Sequence, residues 1–164
     1  MDRPIPPLLA GDKINKGDNI HMDAWKELHP PFTVRAPTLA DIPAVTDLLN
    51  RAARAMTGVA SHTEDELNSE WTVPGHSMEE DIRLVLAGAR PVSMIAVWAT
   101  RNPPVGVWGG GGADRELEGR GTRTTMMTWA EARARESAFP RVPEGLRISM
   151  HAGAPAQYQP ANEL

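Results

Sequence analysis

Asp114–Glu136, which reads DRELEGRGTRTTMMTWAEARARE, is the stretch on which the rest of the chain is organised. It reads as a short loop opening directly into a helix. Gly119 and Gly121 let the backbone take tight or left-handed conformations that other residues resist. The helix is expected to start near Arg123. The first-turn N–H groups of a helix have no partner within it and carry partial positive charge. Such an end accepts phosphate or pyrophosphate through the backbone. Gly119, Arg120, Gly121, Thr122, Arg123 and Thr124 are therefore the candidate anion-binding residues, with Arg120 and Arg123 adding charged donors. Two glycines and two arginines before a helix also make an ordinary loop, and that reading stays open. No Gly-Lys-Ser/Thr follows, so this is not a Walker A loop. The third glycine of a dinucleotide fingerprint is missing as well.

The helix entered from this loop places Met127, Ala130, Ala134 and Ala138 on one face, widened by Met126 and Trp129. Phe139-Pro140 stops it, and Leu146–Met150 alternates as a strand; residues 151–160 read as loop. Upstream, Phe32–Arg35 reads as a strand. Thr38 with Asp41 three residues on is a capping signature, and Ile42, Val45, Leu48, Leu49, Ala52 and Met56 follow at helical spacing until Gly58. A second short helix is expected over Ser61–Glu70, then a loop from Trp71 to His76 and a turn capped by Ser77. Arg83–Ala87 and Val92–Ala99 form a hairpin around Gly88-Ala89-Arg90. Val92–Ala99 is apolar on both sides and belongs in the sheet interior. Val105–Trp108 starts a third strand, but Gly109–Gly112 is a poor strand sequence, without side chains to pack. It could be a linker between two small units.

Composition bounds the rest. At 164 residues with 41% apolar, one domain is expected, with residues 1–31 as a flexible arm and 32–164 as the folded part. The net charge of −4 disfavours a nucleic-acid partner. Without cysteine there is no disulfide, thiolate catalysis or Cys-ligated metal. His21, His29, His62 and His76 lack metal-ligand spacing, so no metal is expected. The sequence offers no apolar run long enough for a membrane helix and no secretory signal core, which makes the expectation a cytoplasmic protein without a membrane partner.

Gly-Arg-Gly entering a helix that continues Met-Met-Thr-Trp-Ala-Glu-Ala-Arg-Ala resembles the acyl-CoA-binding loop of the GNAT superfamily of N-acetyltransferases. That family's pattern, Arg/Gln-x-x-Gly-x-Gly/Ala, falls on Glu118–Arg123. Gly121 matches; Glu118 and Arg123 depart from it. The resemblance covers residues 32–164 in the order strand, two helices, three strands, helix, strand. It implies an α/β (α+β) fold with a mixed, mostly antiparallel sheet flanked by helices, lacking the family's last two strands. An edge left unpaired in that way would invite a second copy, so a homodimer is an expectation.

The resemblance further implies acetyl-CoA as the acyl donor and direct transfer to an amine of a small molecule or peptide. Gly112 and Ala113 occupy the place where a backbone N–H polarises the thioester carbonyl. Asn162 stands where the family's next helix often meets the cofactor. The only tyrosine, Tyr158, precedes that helix and takes no acid role. Asp114, Glu118 and His151 are candidates for a general base, each read more simply as a solvated loop charge or an exposed histidine. The alternative is a catalytically inactive CoA-binding or protein-interaction module of the same fold.

Overall fold

The computed structural model describes Trp25, Leu28 and residues 31–153. The arm expected over 1–31, Tyr158 and Asn162 thus lie almost wholly outside the described residues. Five strands form one sheet in the order β1-β2-β3-β4-β5: Phe32–Arg35, Ile82–Ala87, Arg90–Trp98, Gly106–Ala113 and Ser149–Ala152. The first four run antiparallel to their neighbours, and β5 pairs parallel with β4. Between β1 and β2 lie α1 (Ile42–Thr57), α2 (Glu64–Trp71) and the single turn α3 (Met78–Asp81); α4 (Thr122–Ala138) links β4 to β5. A helical crossover is what a parallel pair requires.

Local chemistry sets the helix ends. The Asp41 carboxylate accepts from the Thr38 N–H at 2.7 Å and from both Arg35 terminal nitrogens at 2.8 and 2.7 Å, fixing the 3-10 turn that leads into α1. At the far end of α1, Gly58 takes φ +83°, the left-handed cap that glycine adopts without strain. In α2 the Thr63 hydroxyl accepts from the Glu66 N–H, and the Glu66 carboxylate accepts in return from the Thr63 N–H. This helix starts three residues later than expected and ends one residue further on. Trp71, read from sequence as loop, follows Leu67 at helical spacing, and both are 1% exposed.

The core has two layers split by β3. Met94 and Ala96 face α1 and α2 in a cluster with Val45, Leu48, Leu49, Leu67, Trp71, Ile82 and Leu84. Ile95 and Val97 face α4, against Met126, Trp129, Ala130, Ala134 and Ala138. That division is the two-sided burial expected of Val92–Ala99. Each buried Val, Leu, Ile or Met side chain contributes roughly 1.5–3 kcal/mol, so these layers dominate the stability. Trp25 joins the second layer, its ring centroid 6.2 Å from that of Trp129.

Three expectations need correction. Gly109–Gly112 is no linker; it is ladder-paired with Val97, Ala96, Ile95 and Met94 along β3. Gly111 is the position that cannot take a side chain: a Cβ there would lie 1.9 Å from the Met94 carbonyl oxygen, whereas one on Gly109 would meet only the movable Met150 methyl, at 2.6 Å. Second, Leu146 and Arg147 precede the strand and are exposed. The final strand is Ser149–Ala152, so His151 is a strand residue. Third, Asp114 is not a solvated loop charge. It is 9% exposed and ion-paired.

Candidate active site

Behind β4 the chain makes a 3-10 turn, Arg115–Leu117, whose Leu117 is buried at 4% against Val85 and Val92. That side chain anchors an otherwise exposed loop. Gly119 and Gly121 then take φ +75° and +74°, the bends anticipated from sequence. Gly121 is the N-cap of α4, and the helix begins at Thr122. No side chain caps it, and no acid stands in its first turn. α2 and α3 differ: each opens with three acids and a capping Thr63 or Ser77. The α4 entry therefore keeps its backbone donors and its positive end for an outside anion. The Thr122 hydroxyl at this end is buried without a hydrogen-bond partner. A buried polar group usually has one.

Negative charge in the loop is taken up by arginines. Asp114 accepts from Arg51 Nε at 3.0 Å, Arg51 Nη2 at 3.2 Å and Arg90 Nη1 at 3.0 Å. Hydrogen bonding to Asp114 holds the Arg51 guanidinium above its ordinary range. Glu116 pairs with Arg90, and Glu118 lies 3.9 Å from Arg115. Asp114 ties the loop to α1 through Arg51 and to the start of β3 through Arg90. Its carboxylate is held by two guanidiniums and ties the loop in place. Glu118, the family-pattern departure, has Arg115 beside it and does not stand as an isolated charge against a phosphate.

Gly112 and Ala113 close β4 immediately before this loop. The Gly112 carbonyl accepts from the buried Ser93 hydroxyl at 3.1 Å. Asp114 N–H donates to Val92 O at 2.9 Å, which sets the phase of the ladder. By alternation, Gly112 turns its amide toward β3 and Ala113 turns its amide away. Pairing with β5 ends at Gly109–Ala152, so the Ala113 amide lies beyond that ladder. Of the two residues expected to polarise a carbonyl, Ala113 has the open geometry.

On the α1 side of β4 lies a cavity of about 210 Å³. Its described lining comes from α1 and the loop after it, including Leu49, Ala52, Met56 and His62, and from Gly111 and Gly112 of β4. The sequence reading missed this cavity because its lining joins residues some sixty positions apart. His151 is not part of it. That ring is exposed and stacks on Trp108 at 5.2 Å, with Ser149 Oγ 2.9 Å from its Nε2. Trp108 itself is 54% exposed. No group of three or more His, Cys, Asp or Glu able to hold a metal exists among the described residues. No described helix is long and apolar enough to cross a membrane.

Sheet order, the two-layer core and a helix entered through two left-handed glycines can be compared with solved structures. A GCN5-related N-acetyltransferase from Sphaerobacter thermophilus superposes with TM-score 0.71 at 21% identity, over 80% of this chain and 41% of that one. The chain has the GNAT fold. Two further structures carry ligands. yncA from Salmonella typhimurium, solved with its cofactor acetyl-CoA, matches with TM-score 0.58 at 15% identity, over 80% of this chain and 75% of that one. Diaminobutyrate acetyltransferase EctA from Paenibacillus lautus, in complex with L-2,4-diaminobutyric acid and coenzyme A, matches with TM-score 0.55 at 11% identity, over 80% and 70%. This chain spans about two fifths of the length of the Sphaerobacter protein. No protein-family model matches the sequence, and no curated protein does either. Within the GNAT fold, the α4 entry and the end of β4 are the candidate site. Asn162 lies outside the described residues.

Proposed function

We propose that the chain is an N-acyltransferase, moving an acetyl group from acetyl-CoA to an amine of a small molecule or peptide. The observation that carries this reading is the entry to α4: an uncapped, acid-free helix end reached through Gly119 and Gly121, both at positive φ. The residues suit a pyrophosphate. The Thr122, Arg123 and Thr124 amides lie in the first turn, where a helix supplies no acceptor. Arg120 and Arg123 add positive charge, and the loop acids have arginine neighbours. Acetyl-CoA would supply an activated thioester that needs no covalent enzyme intermediate. The Ala113 amide would donate to the oxygen on which negative charge develops, an effect that removal of a single donor weakens by roughly 10²–10³ in rate. Asp114 would hold the loop in register with β4 through Arg51 and Arg90.

The test is release of free thiol from acetyl-CoA in the presence of a panel of primary amines, with mass spectrometry of each product. An acceptor gaining one acetyl group supports the reading. A folded protein that releases no thiol above the uncatalysed rate with any amine contradicts it.

A further inference from the structure

Among the described residues that line the cavity between α1 and β4, one is ionisable, His62. The described lining combines the apolar Leu49, Ala52, Ala53 and Met56, the side-chain-free Gly111 and Gly112, and the polar Thr57, Ser61 and His62. No carboxylate, lysine or arginine is among the described residues that line it. The imidazole is held from behind. Asn50 on α1 clamps the loop: its Oδ1 accepts from the Ser61 and His62 amides at 3.0 Å each, and its Nδ2 donates to the His62 carbonyl at 2.9 Å. The Ser61 hydroxyl lies 3.0 Å from His62 Nδ1. A loop fixed at three points and a ring fixed at one nitrogen make a defined position at the cavity rim. Asp114, the carboxylate nearest in sequence to this part of β4, is engaged by Arg51 and Arg90 and does not compete for that role.

We infer that this cavity receives a compact primary amine with an apolar flank, and that His62 Nε2 accepts the proton the amine loses; the inference rests on the function proposed above. Nδ1–H donates to Ser61 Oγ in this assignment, which makes Nε2 the basic nitrogen of the neutral ring. The amine nitrogen attacks the acyl carbon, so a C–N bond forms and the C–S bond breaks. The electron pair of the broken bond leaves on the thiolate. The proton lost from nitrogen moves to Nε2 and is returned to the thiolate or to water, restoring the neutral ring. A volume near 210 Å³ admits a small aliphatic group. Without a cation in the lining, a carboxylate beside the amine finds no partner there, and its burial is opposed.

Nuclear magnetic resonance on the whole chain tests this, with isobutylamine and glycine as probes. In the wild type, isobutylamine is expected to shift the His62 ring signals and the Gly111 and Gly112 amides. Glycine should leave them unmoved. Long-range ring correlations should show Nε2 as the unprotonated nitrogen of the neutral ring. Ala53→Leu fills the cavity and should abolish the isobutylamine shifts. His62→Gln should lower transfer to isobutylamine by about 10²-fold, flatten its pH profile and leave acetyl-CoA binding unchanged. No shift at His62, equal shifts in Ala53→Leu, or an unaltered rate and pH profile in His62→Gln each overturns the inference. Heat of binding with acetyl-CoA but no shift with isobutylamine rejects this acceptor site alone. Absence of that heat, with the isobutylamine shifts present, rejects the acyl-donor reading and with it the proton-accepting role.

Discussion

Gly110→Ala and Gly111→Ala are neighbouring substitutions in one run of glycines and should have opposite effects. At Gly110 a Cβ would meet the edge of the Trp98 ring at 3.6 Å, an ordinary contact. Alanine there restricts the unfolded chain without straining the folded one, so a gain of about 0.4–1 kcal/mol is expected. At Gly111 the same atom would stand 1.9 Å from the Met94 carbonyl oxygen and 2.8 Å from its carbon. Ordinary non-bonded separation is about 3.5 Å, so β4 and β3 would have to part by more than an ångström. Hydrogen bonds rarely survive beyond about 3.2 Å. Losing one or two ladder bonds between β3 and β4 costs about 1–3 kcal/mol. The two variants should therefore differ by about 3 kcal/mol, read as the difference in urea midpoint at a common slope, with circular dichroism and tryptophan fluorescence as probes. Equal midpoints would refute the placement of Gly111 against the β3 backbone and return the glycine run to a loop.

Other perturbations follow from the same geometry. Asp114→Ala removes the shared partner of Arg51 and Arg90 and should destabilise by about 1–3 kcal/mol in chemical denaturation; a change below about half a kcal/mol would count against the tie between loop and α1. The Arg35 hydrogen bond holds Asp41 down from 3.8 to about 2. A depressed carboxylate gives stability that is present above its unfolded pKa and lost as pH falls through the folded one, so stability should decline between about pH 4 and 2, and less so in Asp41→Asn. His76 is stacked on Trp98 with centroids 5.7 Å apart, and both ring nitrogens are buried without partners; burial lowers its pKa below the ordinary 6.5, despite Asp81 at 3.4 Å. The unfolded chain then binds the extra proton first. Stability should fall as pH drops below about 6.5, and His76→Leu should remove that component in denaturation curves compared at pH 7.5 and 5.5.

Much of the fold was legible because local and tertiary preferences agree. Thr38 and Asp41 mark the entry to α1, its apolar spacing continues to Gly58, and Val92–Ala99 is apolar on both sides because both faces are covered. The glycine run was misread because strand propensity reports side-chain packing, and here the backbone itself is what packs. Only the approach of the Met94 carbonyl shows why a Cβ is excluded at Gly111. Asp114 was misread for a related reason. Its partners lie 63 and 24 residues away, beyond any local pattern. Trp71 could have been found, since it continues the Leu67 stripe by one helical turn. In the site, the bends at Gly119 and Gly121 and the α4 entry were read directly. The His62 cavity was not, because it exists only where α1, its following loop and β4 converge.

Calorimetric titration of acetyl-CoA into the purified chain, beside a Gly121→Glu variant whose circular dichroism matches, tests the phosphate-binding role of the α4 entry most directly. Micromolar binding lost in the variant is the predicted result, since the substitution sets a carboxylate and a Cβ where the helix end presents bare amides. No heat at millimolar acetyl-CoA from a folded protein, or unchanged affinity in Gly121→Glu, would contradict it.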